Sequence, residues 1–307
     1  MSEAVGSGGR EGTVRRARPL LGTLVEIEVE GTQSELAVER AFEAIAQVHD
    51  LMSFHDPASE LSRVNREAAR APVQVSEPMW EVLQAARRLS AASDGLFDIT
   101  TASALVGHGF LPAAPVHTRP CATVGDWHHL ELLPGRRVWF ARPLCIDLGG
   151  IAKGFAVDRA TEVLRAAGVR RGRVNAGGDL RVFGAGPEPL HVRHPSQPGV
   201  LIPLPPVEAS VATSAGYYQR SANVGPAMVP IVHPETGELS RGQRSVTVYA
   251  PECMSADALT KVVYLDPARA TPLLAEFGAR AIVLEPEPDG GCRLYRSEPS
   301  PERLTVT

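Results

Sequence analysis

The sequence predicts an α+β protein with mixed sheets and packed helices, and two observations carry that reading. Strand-like and helix-like stretches are interspersed without the strict alternation of a doubly wound fold. Apolar residues at helical spacing mark the helical stretches among the strand-like runs. With 307 residues there is ample core for one large domain or two modest ones.

Thr23, Val25, Ile27 and Val29 alternate with Leu24, Glu26, Glu28 and Glu30, which predicts a strand with one wet face. Residues 1–18, rich in Gly, Ser, Glu and Arg and lacking an apolar run, are expected to be a disordered tail ahead of a domain spanning 19–307. Thr32 to Glu35 matches a capping box, and Leu36, Ala41, Phe42, Ile45, Val48 and Met52 follow at helical spacing. Ser59 to Asn65 reads as a short polar helix or a loop. Ser76-Glu-Pro78 opens a second helix that Asp94-Gly95 closes.

Residues 106–126 form a long irregular connection, and 127–131 with 136–141 predict a hairpin about Pro134-Gly135. Strands are expected at 172–174, 180–183, 190–193, 199–202, 207–212, 228–232 and 244–249. Helices are expected at 256–264 and 268–277, and strands at 281–284 and 292–295 close the chain.

Composition excludes several functions. Net charge is −4, so no global basic field calls for nucleic acid or an anionic membrane. Aromatic residues make up 5%, too few for a single-strand stacking platform. No stretch reaches the length of a membrane span. The 4 cysteines form no CxxC pair, which reads as a reduced, cytoplasmic chain. No His lies at zinc spacing with Cys or Glu, and no Ser elbow or Cys–His pattern supports a covalent triad.

The most informative stretch runs from Cys145 to Asp158. Leu144 to Ile146 reads as a strand end, Asp147, Gly149 and Gly150 as a turn, and Ile151 onward as a helix. Free amides and a positive dipole end suit a phosphate there, although a purely structural turn has the same pattern. Of the 31 basic residues only Lys153 and Lys261 are lysine. An ammonium is therefore wanted at these two places, unless codon usage alone made the rest arginine. Asn175 to Asp179 reads equally as a hairpin turn or as a ligand loop. In Met254 to Lys261, Ser255 can cap a helix on which Asp257 and Lys261 share a face.

In this order, several of these stretches resemble the FAD:protein FMN transferase family, also called ApbE. They are Met52 to Asn65, Asp94 to Thr100, Ile146 to Asp158, Asn175 to Asp179, Ala212 to Ser214, Pro234 to Gly237 and Ser245 to Leu259. The resemblance implies an ApbE-like fold. It also implies transfer of the FMN part of FAD to a Thr or Ser hydroxyl of an acceptor flavoprotein, with Mg²⁺ assisting and AMP leaving. It places Met52, Leu96, Phe97, Asp98, Asp147, Lys153 and Ile231 around FAD, with Lys153 and Asp257 catalytic. The metal would take Gly150 through its backbone oxygen, Asp257, and a hydroxyl one turn on, for which Thr260 is the candidate.

Two positions depart from the family pattern. Lys261 stands where the resemblance implies a Thr ligand, and an ammonium has no lone pair for Mg²⁺. Pro230 stands where it implies His, and His233 where it implies Asp. The alternative is then an FAD-binding protein impaired in transfer, or an FAD pyrophosphatase; a non-enzymatic scaffold is the third reading. Lys261 itself has three arrangements open to it: turned away while Thr260 serves the metal, an exposed ion-pair partner of Asp257, or an ammonium at the metal's place.

Overall fold

The computed structural model describes residues 12–31, 34–112, 125–184, 186–197, 199–216, 228–288, 290–297 and 302–304. The chain opens with a hairpin of β1 (Thr13–Leu20) and β2 (Thr23–Glu30), paired from Thr13↔Glu30 to Leu20↔Thr23. Leu21 and Gly22 turn it with φ of +55° and +71°. The tail expected through Arg18 is therefore corrected from Thr13 onward. These residues read as polar because β1 is an edge strand whose Arg15, Arg16 and Arg18 pair with Glu26, Glu35 and Glu39.

Helix α1 (Glu35–Met52) buries Val38, Ala41, Phe42, Ile45, Val48 and Met52, the spacing that predicted it. The expected capping box gives no cap bond: Ser34 directs its hydroxyl to the Glu30 carbonyl, and Thr32 lies outside the described residues. Helix α2 (Glu60–Glu67) settles the helix-or-loop alternative, with Ser59 accepting from the Ser62 amide. Then come β3 (Val73–Gln74) and α3 (Glu77–Ala92), the latter capped by Ser76 with proline in its first turn. A 3₁₀ turn at Ile99–Thr101 leads into α4 (Ala102–Gly107), so the long connection expected from 106 begins only after Gly107. Much of that connection, residues 113–124, lies outside the described residues.

Another 3₁₀ turn at Trp127–His129 precedes the hairpin of β4 (Leu130–Leu133) and β5 (Arg137–Phe140). Residues 144–146 form no strand, contrary to expectation. The side-chain amide of Asn65 serves as the strand partner instead, donating to Ile146 O and accepting from Ile146 N, both at 2.9 Å. Helix α5 (Ala152–Ala166) follows, and β6 (Gly172–Ala176) and β7 (Asp179–Phe183) close a hairpin over Gly177 and Gly178, both at positive φ.

The remainder alternates strands and two helices. These are β8 (Glu188–Arg193), β9 (Leu201–Val207), β10 (Ser210–Ala215), β11 (Met228–Val232), β12 (Leu239–Arg241), β13 (Ser245–Ala250), α6 (Cys253–Leu265), α7 (Pro267–Glu276), β14 (Arg280–Pro286), β15 (Cys292–Arg296) and β16 (Glu302–Leu304). Ser255 does not cap α6, which begins two residues earlier because Asp158 of α5 supplies its cap.

One sheet of 9 strands runs in the order β1-β2-β6-β7-β10-β13-β14-β15-β16. The smaller sheets are β3-β5-β4, β8-β9 and β11-β12. The pairings are antiparallel, and the helices pack in series, α1 on α5, α5 on α6 and α6 on α7. The main core lies between this helical layer and the sheet. Among the described residues no helix is long and apolar enough to cross a membrane.

Candidate functional site

Helices α5 and α6 meet at their amino ends, and their side chains there build the site. Gly154 permits the approach. A Cβ on it would lie 2.6 Å from the Cys253 carbonyl carbon, so any larger residue pushes the helices apart. Because the helices are so close, Asp257 of α6 reaches the open first turn of α5, where its Oδ2 accepts from Gly154 N at 3.2 Å. In return Asp158 of α5 accepts from Cys253 N at 2.9 Å and Met254 N at 2.8 Å.

Two carboxylates and two ammoniums gather at this junction. Lys153 lies 2.7 Å from Asp179 Oδ2 and 3.3 Å from Asp257 Oδ2. Lys261, one helical turn after Asp257, bonds to Asp257 Oδ1 and, at 2.9 Å, to the Asp257 carbonyl. The Gly177-Gly178 turn of the β6–β7 hairpin carries Asp179 into the group, so Asn175 to Asp179 is both a hairpin turn and a contributor to the site. The side chains of Asp257 and Asp179 are 0% and 3% exposed, against 18% for Lys261 and 29% for Lys153. The ammoniums thus form the outer face and the carboxylates the inner one.

Electrostatics follows from this layering. Burial alone would raise Asp257, but Lys153 and Lys261 outweigh it and hold its carboxyl below the ordinary range. Burial and the neighbouring Asp257 push Asp179 up to about 6. Burial opposes charge on Lys153, yet Asp179 and Asp257 reverse this and raise it above the ordinary lysine value. Burial also pushes Asp158 up to about 6, against the two amides it accepts from.

The other residues that the resemblance singled out lie in the glycine turn, in the Leu96 to Asp98 loop and in the core. Gly150 adjoins the cluster: a Cβ there would lie 3.4 Å from Lys261 Cε and 3.7 Å from Phe97 Cε2. Asp147 accepts from Gly149 N at 3.1 Å, and its own amide donates to Ile99 O at 2.8 Å, tying the glycine turn to the Phe97 loop. Burial raises Asp147, while His55 and Lys153 draw it down. Asp98 is committed to its own loop, accepting from Thr100 N, Thr100 Oγ1 and Trp127 N, and burial raises it. Met52, Leu96, Phe97 and Ile231 are buried members of the main core. Pro230 lies in β11 where its pairing with β12 is irregular, a place that tolerates a missing N–H.

Thr260 shares the Asp257 carbonyl with Lys261 and bonds to no carboxylate of the cluster. Its hydroxyl donates to Asp257 O at 2.6 Å and pairs with Ser214 Oγ at 2.7 Å. The side chains around Asp257 therefore do not fit Mg²⁺. Oδ1 is bound by Lys261, Oδ2 by Lys153 and Gly154, and the hydroxyl one turn on is a core hydrogen-bonding group. Among the described residues no three His, Cys, Asp or Glu side chains gather as a metal cluster.

Sequence alone assigns no role to Asp158, and offers Asp179 only within a loop that reads equally as a turn. Asp179 had a signal in its Gly-Gly turn. Asp158 had none, because its role depends on a helix about a hundred residues away.

The fold defines a class of flavin transferases. The solved flavin transferase ApbE from Vibrio cholerae superposes with a TM-score of 0.80 at 26% identity, covering 93% of this chain and 97% of that one. The ApbE protein from Thermotoga maritima gives a TM-score of 0.77 at 26% identity, over 95% and 96%. The FAD:protein FMN transferase of Rhodobacter capsulatus is 30% identical over 86% of this chain, which spans 54% of that longer relative. That of Vibrio cholerae serotype O1 is 26% identical over 92% of this chain and 90% of its own length. The ApbE family model matches residues 21–283, and the chain belongs to the ApbE family.

Proposed function

We infer that the chain is an FAD:protein FMN transferase. The observation that carries the reading is the paired ammoniums of Lys153 and Lys261, standing in front of buried carboxylates at the amino end of α5. A diphosphate presented to this face meets two cations and a positive helix end, with the apolar wall of Phe97 beside it. Positioning and charge neutralisation are what phosphoryl-type transfer requires of a protein, and no covalent nucleophile is needed.

The acceptor hydroxyl, of Thr or Ser in a flavoprotein, forms a P–O bond to the FMN phosphorus. The bond from that phosphorus to the bridging oxygen breaks, AMP leaves with the bridging oxygen, and one proton is released. Lys153 and Lys261 neutralise the diphosphate, and Asp179 and Asp257 hold the two ammoniums in place. The glycine turn of Asp147 to Gly150 and the Leu96 to Asp98 loop, joined through Asp147 N and Ile99 O, are the proposed flavin-side contacts. Met52 and Ile231 back them from the core. Two buried free thiols, Cys253 and Cys292, suit the reducing cytoplasm proposed as the setting.

Incubation with FAD and an acceptor flavoprotein, followed by intact-mass measurement, tests the reading. An FMN-sized increment on the acceptor with matching AMP release is expected. FMN and AMP appearing free, with no increment, would make the chain an FAD pyrophosphatase instead.

A further inference from the structure

The family reading implies a divalent metal beside Asp257, and this chain has placed something else there. Lys261 folds back over its own helix so that its ammonium bonds to both the carbonyl and Oδ1 of Asp257. Its stem passes the Gly150 turn, where a Cβ would lie 3.4 Å from Cε. The ammonium is therefore bonded to one of the groups named as metal ligands, and its stem passes the turn that carries the other. The third group, Thr260, has its hydroxyl engaged by Ser214 and Asp257 O.

Charge points the same way. Asp179 and Asp257 are already matched by Lys153 and Lys261, so no net negative charge is left to draw in a dication. A metal entering here would have to displace Lys261 and would face a second ammonium on Lys153. The solvent-facing side of the cluster is cationic, which suits an anion directly.

We propose that Lys261 is a tethered cation in the divalent metal's place, and that with Lys153 it binds the FAD diphosphate without Mg²⁺. The proposal rests on the flavin-transferase reading. A lysine brings one charge, three donors and a flexible stem; Mg²⁺ brings two charges and octahedral geometry. The lysine needs no ion from solution, and chelators cannot remove it.

The experiment is FAD titration of the full chain, followed by flavin fluorescence, in EDTA and in Mg²⁺. It compares wild type, Lys261→Met and Lys261→Thr. Wild-type affinity is expected to differ by less than about twofold between the two buffers, as a cation built into the chain requires. Lys261→Met, with a stem of similar size and no charge, should bind about tenfold or more weakly in both, the size of one charge-assisted contact. Lys261→Thr frees Asp257 and adds an oxygen, so it should bind weakly in EDTA and recover with Mg²⁺.

Wild-type affinity rising about tenfold with Mg²⁺ overturns the proposal, as does Lys261→Met matching wild type in EDTA. If wild type takes up FAD in neither buffer, the flavin reading itself falls. Calorimetry with Mg²⁺ alone then judges the lysine: saturable binding to wild type overturns the assignment, and binding only to Lys261→Thr upholds it. The wild-type arms need no variant to fold.

Discussion

Asp158 and Asp257 lie on neighbouring helices, and each carboxylate closes the amino end of the other's helix. Asp158 accepts from the amides of Cys253 and Met254 in α6, and Asp257 from that of Gly154 in α5. Neither helix can shift along the other without opening both caps. The crossing that Gly154 permits is thereby held in register, and the lysines mounted on the same two helices are held with it.

The caps differ in what surrounds them, and pH separates them. Asp257 has two ammoniums; Asp158 has no lysine beside it, and burial pushes it up to about 6. The folded pKa of Asp158 is thus above its unfolded value near 3.9. Its contribution to stability is complete below pH ~4 and is lost as pH rises through ~6, a change on the order of 2–3 kcal/mol. Asp158→Asn cannot ionise, so its destabilisation relative to wild type should be greatest near pH 4 and shrink or reverse above pH ~6. Urea unfolding of both proteins across that range measures this. A difference independent of pH would mean that Asp158 stays ionised throughout.

The sequence made most elements legible because apolar spacing is a local property. The alternation of Val25, Ile27 and Val29 and the face of Val38, Phe42, Ile45 and Val48 were readable directly, and both proved buried. What failed was decided by distant partners. Ile146 reads as strand, yet its partner is the Asn65 side chain; Ser255 reads as a cap, yet Asp158 caps the helix. Arg15, Arg16 and Arg18 read as tail because their acids lie on another strand and on a helix.

The candidate site was legible in part for the same reason. Lys153 and Lys261 stood out by rarity, and Asp257 with Lys261 by helical spacing. That both lysines converge on one carboxylate, and that Asp179 joins them, requires the β6–β7 hairpin to fold back against α5. No local pattern reports that. Thr260, the metal-ligand candidate that the family resemblance suggested, pairs with Ser214 instead.

Gly154→Ala should destabilise the protein despite its helix-propensity gain. The added methyl would fall within 2.6 Å of the Cys253 carbonyl carbon and 2.8 Å of Met254 Cα, both backbone atoms that cannot rotate away. Overpacking of this kind costs about 1–3 kcal/mol, against a Gly-to-Ala helix gain of about 1. The separated helices should also lose the Asp257 cap, so FAD affinity should fall with stability. A Gly154→Ala variant with wild-type urea midpoint and wild-type FAD binding would show that the helix crossing does not set the site.

Lys153 has two roles that its removal should expose separately. Seen from its glycine turn alone it is a phosphate contact, and Lys153→Ala should weaken FAD binding by about 1.5–3 kcal/mol. Within the cluster it also neutralises Asp179 and Asp257, which stay buried when it goes. Leaving buried charge without its partner costs about 3–5 kcal/mol. Part of that cost is avoidable, because Asp179, already raised to about 6, can take up a proton. Without Lys153 its folded pKa rises further, so the added instability should be small near pH 5 and grow towards pH 8. Lys153→Arg should restore stability better than FAD affinity, since a planar guanidinium keeps the charge but not the compact ammonium. Chemical denaturation at pH 5 and pH 8, with FAD titration at pH 8, checks both roles. Equal stability loss at the two pH values would remove Asp179 as the group that Lys153 holds ionised.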